Sequence, residues 1–182
     1  MNRLIFLTGR PGVGKTSVLT RAIDILKAKG NAIGGMISRE FREHKVRVGF
    51  EIVDLGTGRK GWLAHINQPT GPRVGKYRVN LRDLNTIGVS SLHNAIEEAD
   101  IIVVDEIGPM ELFSSEFKEI VMRGINSKKP MIGTIHSRAY DSLINAIKAK
   151  KDTKILEVTP ENRAYLHTIL VDEIHQYILS QS

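Results

Sequence analysis

The sequence contains no cysteine. Disulfide bonds, thiolate metal sites and cysteine nucleophiles are therefore all excluded. No apolar run approaches the roughly 20 residues that a membrane-spanning helix requires. The apolar stretch near the N-terminus leads directly into a glycine-rich segment, and not into the small-residue cleavage site of a signal peptide. We therefore expect a soluble protein of the cytoplasm that does not enter a membrane.

Aromatic residues are also scarce, at 5% of the chain with a single tryptophan. Proteins that bind single-stranded nucleic acid commonly stack the bases on aromatic side chains, so this scarcity argues against that class. The formal net charge is +6. A positive excess suits either a nucleic-acid surface or cations gathered around a polyphosphate. A nucleic-acid partner is thus compatible with the sequence but not favoured by it.

The composition fits one α/β domain. With 182 residues and 41% hydrophobic content, the chain can bury a sheet between two layers of helices. No repeat, low-complexity tract or linker divides it. We therefore predict a single domain over residues 1–182. The oligomeric state stays open, with a monomer favoured over an oligomer.

Apolar runs alternate with segments of helical periodicity along most of the chain. This alternation predicts a mostly parallel sheet flanked by helices, the architecture of α/β proteins. The predicted strands cover residues 3–8, 32–38, 101–104, 131–135 and 155–158. The predicted helices cover residues 15–29, 83–99 and 114–126, with another opening at Asp141 and a last one running to Ile178. Thr159 would cap that last helix, and Pro160 would occupy its first position.

The segment over residues 38–65 has a different character. Strand-like stretches at residues 47–55 and 61–65 flank a Gly-Thr-Gly turn. Turn residues between two such stretches are typical of a β-hairpin. We therefore predict an antiparallel hairpin excursion from the parallel sheet. An irregular loop is expected over residues 67–75, which hold two prolines and two glycines.

Residues 9–16 match the phosphate-binding pattern G-x-x-x-x-G-K-[ST] at every fixed position, after an apolar strand and at the start of a helix. Glycines let such a loop wrap a phosphate with its N–H groups, and the helix N-terminus adds partial positive charge. Lys15 is expected to reach the β- and γ-phosphates, and the Thr16 hydroxyl to bind Mg²⁺. The predicted nucleotide contacts in this region are Gly9, Arg10, Pro11, Gly12, Val13, Gly14, Lys15, Thr16 and Ser17.

Two carboxylates, Asp105 and Glu106, follow the apolar run at residues 101–104. A strand buried on both faces excludes ionised groups from its middle, so these carboxylates lie at its exit, where ligands bind in such sheets. Asp105 is the candidate second ligand of Mg²⁺. Glu106 is the candidate general base that deprotonates a water for attack on the γ-phosphate. Glu111 is a weaker candidate for the same water network and could equally be a plain structural or surface acid.

Polar side chains also occur at the end of the strand predicted over residues 131–135. Thr134 and His136 would lie near the phosphate loop, where a polar group can sense the γ-phosphate. Arg138 is a candidate for neutralising charge in the transition state, although a surface cation has the same appearance in sequence. Several further cations could clamp a phosphate or form a solvated face: Arg39, Arg42, Arg47, Arg73, Lys76, Arg78 and Arg82.

Beyond the common phosphate motif, the chain resembles the small archaeal, bacterial and animal P-loop nucleoside-triphosphatases, the family that includes the human cancer-related nucleoside-triphosphatase. The resemblance is carried by Asp-Glu-Ile-Gly-Pro-Met-Glu-Leu at residues 105–112, Gly-Thr-Ile at 133–135 and Thr-Pro-Glu-Asn-Arg at 159–163. Residues 47–50 and 74–79 also match, so the likeness covers nearly the whole chain.

The resemblance implies a RecA-like sheet with an extra strand between the strand before the phosphate loop and the acidic strand. It implies Glu106 as catalytic base, Mg²⁺ as cofactor, and slow hydrolysis of ATP, GTP and other nucleoside triphosphates to diphosphate and phosphate with little base selectivity. By analogy, Asn162 and Arg163 lie where P-loop proteins often meet the nucleobase, or else they cap the last helix.

Two other functions fit parts of the sequence. A small-molecule kinase would share the phosphate loop, and the arginines at 73, 78 and 82 could close over its acceptor. A nucleotide-controlled switch or RNA-binding module would use hydrolysis only as a timer. The adjacent carboxylates Asp105 and Glu106 suit water activation, so a hydrolase is favoured over both alternatives.

Overall fold

The structure is a computed structural model that describes residues 1–181. Its strands are β1 (Leu4–Thr8), β2 (Ile33–Glu43), β3 (Val46–Asp54), β4 (Lys60–His65), β5 (Arg73–Val74), β6 (Tyr77–Val79), β7 (Ile101–Ile107), β8 (Met131–Ile135) and β9 (Thr153–Glu157). Its α-helices are α1 (Lys15–Ala28), α2 (Leu81–Asp83), α3 (Ser90–Glu98), α4 (Ser115–Asn126), α5 (Ser142–Ala149) and α6 (Leu166–Gln181). All nine strands form one sheet, in the order β5-β6-β4-β3-β2-β7-β8-β1-β9.

The strands β2, β7, β8, β1 and β9 form the parallel half of the sheet. The buried, apolar residues of β1, β7 and β8 suit strands covered by helices on both faces. β8 pairs with β1 on one side and with β7 on the other, so it separates the strand before the phosphate loop from the acidic strand. The predicted α/β fold and the extra strand are therefore confirmed.

The strands β3, β4, β6 and β5 continue the sheet beyond β2 and are antiparallel to their neighbours. We call them the antiparallel extension. The predicted hairpin excursion is confirmed but is larger than expected. β2 runs to Glu43 because its second half pairs with β3. The loop predicted over residues 67–75 contains β5, which forms a short hairpin with β6.

Two predicted helices differ in their details. The helix expected over residues 83–99 consists of α2, a π-helical turn at Leu84–Val89, and α3. The prediction of Thr159 as N-cap and Pro160 as first residue of the last helix is wrong, since α6 begins at Leu166. Thr159 instead exchanges hydrogen bonds with Asn162 and closes a turn before that helix.

Two hydrophobic clusters cover the two faces of the sheet. One packs residues of the π-helical turn, α3, α4 and α5 against strands from both the parallel half and the extension. The other packs α1 and α6 on the opposite face. Because both faces of the sheet are buried, the polar site lies at the carboxyl ends of the strands, where α1 begins. Among residues 1–181, no helix combines the length and the apolar character that crossing a bilayer demands.

Candidate active site

The phosphate loop, residues 9–16, connects β1 to α1 through glycines with positive φ angles. Gly14 has φ of 114° and forms the N-cap of α1. Gly9 has φ of 143°, and a Cβ atom there would lie 2.7 Å from the carbonyl oxygen of Val158. Only glycine tolerates both conditions, which explains the fixed spacing of the motif. The N–H groups of the first turn of α1 have no intrahelical acceptor and are available to an anion.

Lys15 is buried at the base of this loop. Its Nζ donates hydrogen bonds to the carbonyl oxygens of Gly9, at 3.1 Å, and Arg10, at 3.3 Å. These contacts hold the ammonium group beside the loop N–H groups. The arrangement concentrates positive charge at one point, as the sequence predicts for binding a triphosphate.

Asp105 joins the phosphate loop to the centre of the sheet. The Thr16 hydroxyl donates to its Oδ2 at 3.0 Å, and the Thr134 hydroxyl donates to its Oδ1. The residue is only 2% exposed. Burial raises the pKa of Asp105 to about 6, and the charge of Glu106 adds to the rise. The hydrogen bonds from Thr134 and Thr16 lower the pKa but do not cancel the effect of burial. Thr134 therefore acts on Asp105, a contact that sequence reasoning did not specify.

The oxygen atoms of Thr16 and Asp105 suit a hard divalent cation. Mg²⁺ takes oxygen ligands and commonly uses only one or two protein groups, with water and phosphate oxygens completing its shell. A hydroxyl and a carboxylate 3.0 Å apart, beside the phosphate loop, match that requirement. Across residues 1–181 there is no cluster of three or more His, Cys, Asp or Glu side chains with metal-binding geometry. The site therefore fits a cation bound jointly with a phosphate.

Glu106 follows Asp105 within β7, which extends past the predicted strand end to Ile107. The peptide bond between the two acidic residues is cis. The side chain of Glu106 is partly buried, and it lines the same cleft as Lys15 and Thr16. Burial raises the pKa of Glu106, while the charge of Lys15 opposes the rise. A carboxylate with a raised pKa is better suited to accept a proton near neutral pH.

Glu111 lies close behind Glu106. It is 3% exposed, and its Oε2 accepts a hydrogen bond of 3.1 Å from the backbone N–H of Gly108. Burial raises the pKa of Glu111 well above its usual range, and the neighbouring charge of Glu106 raises it further. The structure thus places Glu111 near the acidic residues Asp105 and Glu106 and not on the surface.

His136 and Arg138 differ in their positions. His136 lines the cleft, and its Nδ1 accepts a hydrogen bond of 3.2 Å from the backbone N–H of Arg138. Burial lowers the pKa of His136, and the charges of Lys15 and Arg138 lower it further. The Arg138 side chain is exposed and is not part of the cleft wall. Its predicted role in the transition state stays a prediction.

Asn162 and Arg163 lie after β9, on the other side of the phosphate loop. The Asn162 amide is occupied within its own turn, where it accepts from the N–H of Thr159 and donates to the carbonyl of Glu157, each at 2.8 Å. Arg163 contacts the loop itself, since its Nη1 donates to the Val13 carbonyl at 3.3 Å. Arg163 therefore lies against the phosphate loop and Asn162 shapes the turn that carries it, and the predicted contact of both residues with a nucleotide stays a prediction.

A cleft of about 660 Å³ is bordered by residues of the phosphate loop together with Asp105, Glu106, Glu111 and His136, whereas Arg138, Asn162 and Arg163 lie outside its wall. The cleft begins at the phosphate loop, passes Asp105 and Glu106, and continues over the antiparallel extension. Of the candidate cations, Arg39 and Arg47 line it. Arg42, Arg73, Lys76, Arg78 and Arg82 do not. Sequence reasoning missed the rest of this far wall, because those residues come together only when β2, β3, β4 and β5 pair.

The fold recurs in known proteins. A sequence model of the family described as NTPase matches residues 4–171. The nucleoside-triphosphatase THEP1 of Thermofilum pendens is 44% identical over 169 residues, which is 92% of this chain and 93% of that protein. The chain belongs to this nucleoside-triphosphatase family. The family resemblance seen in its motifs is thereby confirmed.

Other members of the NTPase family agree. The nucleoside-triphosphatase THEP1 of Thermotoga maritima is 45% identical over 159 residues, covering 87% of this chain and 88% of that protein. The crystal structure of THEP1 from Aquifex aeolicus matches with a TM-score of 0.82 at 29% identity, over 94% of this chain and 98% of that one. The solution structure of a human cancer-related nucleoside triphosphatase matches with a TM-score of 0.80 at 34% identity, over 93% and 96%. The NTPase fold therefore spans nearly the whole chain.

Proposed function

We propose that this chain hydrolyses nucleoside triphosphates, including ATP and GTP, to the diphosphate and phosphate in a Mg²⁺-dependent reaction with little base selectivity. One observation carries the proposal. Lys15, the Thr16–Asp105 pair and Glu106 line one end of a single cleft, so a phosphate-binding group, a cation-binding pair and a candidate base face the same space. Family membership supports the same activity, because the relatives are named nucleoside-triphosphatases.

Each of these residues has a distinct part in the reaction. Glu106 accepts a proton from water while the water oxygen bonds to the γ-phosphorus and the bond from that phosphorus to the β–γ bridging oxygen breaks. Lys15 and the loop N–H groups stabilise the charge on the phosphate oxygens. Thr16 and Asp105 would hold Mg²⁺, which supplies charge neutralisation at the β- and γ-phosphates. Arg138 would add a further positive charge if its exposed side chain turned towards the cleft.

Weak base selectivity follows from the groups beside the loop. Reading a base requires donors and acceptors that are not already paired. The Asn162 side chain is hydrogen-bonded at both ends within its turn. Arg163 offers mainly a planar cation, which can stack on any base. The site therefore holds the triphosphate more specifically than it holds the base.

The test is phosphate release from ATP and from GTP with Mg²⁺, comparing the wild type with Glu106→Gln. Loss of a general base should lower the rate about 100- to 10,000-fold, the usual contribution of such a group. Nucleotide affinity, measured by calorimetry, should persist because Lys15 and the loop are unchanged.

Glu119→Gln is the matched control, since Glu119 is an exposed glutamate on α4, away from the cleft. It should release phosphate at the wild-type rate. Equal release by Glu106→Gln and the wild type would contradict the proposed base. Tight nucleotide binding without any release by the wild type would contradict the hydrolase itself and would favour the kinase or switch alternatives.

A further inference from the structure

The cleft is larger than its catalytic end, and its far part lies over the antiparallel extension. The whole cleft, including its catalytic end, has a volume of about 660 Å³, within the range of roughly 300–1,000 Å³ that is typical of small-molecule sites. The far part is a fraction of that volume, so an occupant of small-molecule size is the appropriate one to consider. The far wall is formed by Ser38, Arg39, Glu40, Arg47, Phe50, Leu63 and Val74, with Met110 beside it.

The triphosphate does not account for this far part. Arg163, after β9, contacts the phosphate loop on one side, whereas Glu106 lies in β7 on the other. In the sheet order, β2 and β3 lie beyond β7, on the side away from β9. A nucleotide that extends from Arg163 across the loop to Glu106 therefore ends before it reaches Arg39 and Arg47.

Arg47 is held in a fixed orientation at this wall. Its Nε donates to the Tyr77 hydroxyl at 2.9 Å, and its Nη1 donates to Glu40 at 2.8 Å. Its guanidinium carbon lies 5.1 Å from the centre of the Phe50 ring, a cation–π contact. Within residues 1–181, no acceptor is found for Nη2. A preorganised guanidinium with an unused donor is well suited to bind an oxyanion.

Arg39 lies at the rim of the cleft on the neighbouring strand, where it pairs with Glu51 whereas Glu40 pairs with Phe50, so its side chain points to the face of the sheet opposite Glu40 and Phe50. It is exposed, lines the cleft, and makes no ion pair with any residue that the structure describes. Beyond Met36, which pairs with Val104, β2 pairs with β3 but no longer with β7. The backbone edge of β2 at residues 37–40 therefore lies open beside the cleft and offers further donors and acceptors.

The remainder of the far wall is apolar. Phe50, Leu63 and Val74 come from three different strands, and Met110 faces them from the segment after β7. The Phe50 ring is fixed by an edge-to-face contact with Tyr77 at 5.1 Å. Such a surface accepts a flat or apolar body, while Arg47 accepts its charged end.

We propose that the far part of the cleft is a second binding site, for a small molecule that carries an oxyanion on a planar or apolar body, next to the γ-phosphate of the bound triphosphate. This second site depends on the proposed function in one respect, the position of the bound triphosphate. Phosphate monoesters and carboxylates share the required chemistry. A ligand here lies beside Glu106, and therefore reaches the space in which the attacking water is activated.

The experiment measures a second binding event while the phosphate loop is filled. The protein is saturated with Mg²⁺ and a non-hydrolysable ATP analogue, and is then titrated with AMP, inorganic phosphate or benzoate in a calorimeter. We expect a probe with both a ring and an oxyanion to bind more tightly than inorganic phosphate. Comparison of AMP with benzoate distinguishes a phosphate site from a carboxylate site.

Arg47→Ala should weaken that second event about tenfold or more, as expected for the loss of one charge-assisted hydrogen bond. Arg59→Ala is the matched control, because Arg59 is an exposed arginine that lies outside the cleft. It should bind the probe as the wild type does.

Three results would overturn the second site. They are no binding of any probe at millimolar concentration, equal binding by Arg47→Ala and the wild type, and displacement of the ATP analogue by the probe. Phosphate release is measured on the same preparations. Binding of the analogue without hydrolysis contradicts the proposed function alone, whereas hydrolysis without a second binding event contradicts the second site alone.

Discussion

At the scale of the residue, Glu111 shows how burial changes the charge of an acid. Its carboxyl is enclosed beside Gly108 and close to Glu106, so its pKa lies well above the usual range. An acid whose pKa is raised by folding holds its proton more tightly in the folded state than in the unfolded state. Its contribution to stability is therefore unfavourable wherever the unfolded state ionises and the folded state does not.

We predict that Glu111→Gln is more stable than the wild type at neutral pH. Glutamine keeps an acceptor for the Gly108 N–H and cannot ionise. Below about pH 4 both states of the wild type carry the proton, so the advantage should vanish there and grow as the pH rises. Urea unfolding between pH 4 and pH 8 measures this trend. Glu111→Ala should lose about 1–3 kcal/mol, because the buried N–H then lacks an acceptor. An advantage independent of pH would contradict a neutral Glu111.

The sequence was informative for single residues wherever spacing fixes chemistry. The positions of Lys15, Thr16 and Asp105 follow from two motifs that fold in a known way. The burial of Glu111 depends on how the turn after β7 folds back on Gly108, which periodicity does not predict. The sequence identifies Arg39 and Arg47 as cations. That these two line the cleft, unlike the other basic residues, depends on which strands pair.

At the scale of the element, Asp141 both begins a helix and links it to a neighbour. Its Oδ1 accepts from the N–H of Leu143 at 2.9 Å and caps α5, and its Oδ2 accepts from Lys118 of α4 at 2.7 Å. Burial raises the pKa of Asp141, but the hydrogen bonds from Lys118 and Leu143 outweigh it and lower the pKa. The group therefore stabilises the folded state in its ionised form.

Asp141→Ala should cost about 1–2 kcal/mol of unfolding free energy, the usual value of a helix N-cap. Asp141→Asn should cost less, because the amide oxygen still caps α5. Since the pKa of Asp141 is lowered on folding, the wild-type advantage should be complete at neutral pH, begin to fall near pH 4, and be lost as the pH falls through the folded-state pKa. Thermal unfolding at pH 7 and at pH 3 tests both statements, and an equal loss at the two pH values would be the contrary result.

Periodicity predicted the elements of the parallel half well, because buried strands and amphipathic helices leave clear patterns. It failed where tertiary pairing decides the outcome. β2 continues to Glu43 only because β3 returns along it. The segment after Thr159 has the composition of a helix start, yet its side chains pair with each other and delay α6 until Leu166.

At the scale of the whole molecule, the parallel half and the antiparallel extension share one hydrophobic cluster. Ile52 and Leu63 of the extension belong to the same cluster as Phe6 and Val104 of the parallel half. Strand β2 is also common to both. A division into independently stable parts would have to break this cluster and this strand together.

We therefore predict that the chain unfolds in one transition. Trp62, the single tryptophan, lies in β4 and reports on the extension, whereas far-ultraviolet circular dichroism reports mainly on the helices that cover the parallel half. The two signals should give the same midpoint in urea. Loss of the Trp62 signal at a lower urea concentration would show that the extension unfolds by itself and would contradict the prediction of one domain.

The pairing of β1 has a consequence for the order in which the protein forms during synthesis. β1 is made before both of its neighbours, β8 and β9, and its residue Phe6 pairs with Gly133 and Ile155. Pairing across such long separations closes slowly. On the ribosome, the strand that carries the phosphate loop therefore waits for most of the chain to emerge. A nascent chain cannot bind nucleotide through a completed sheet until residue 157 has left the exit tunnel.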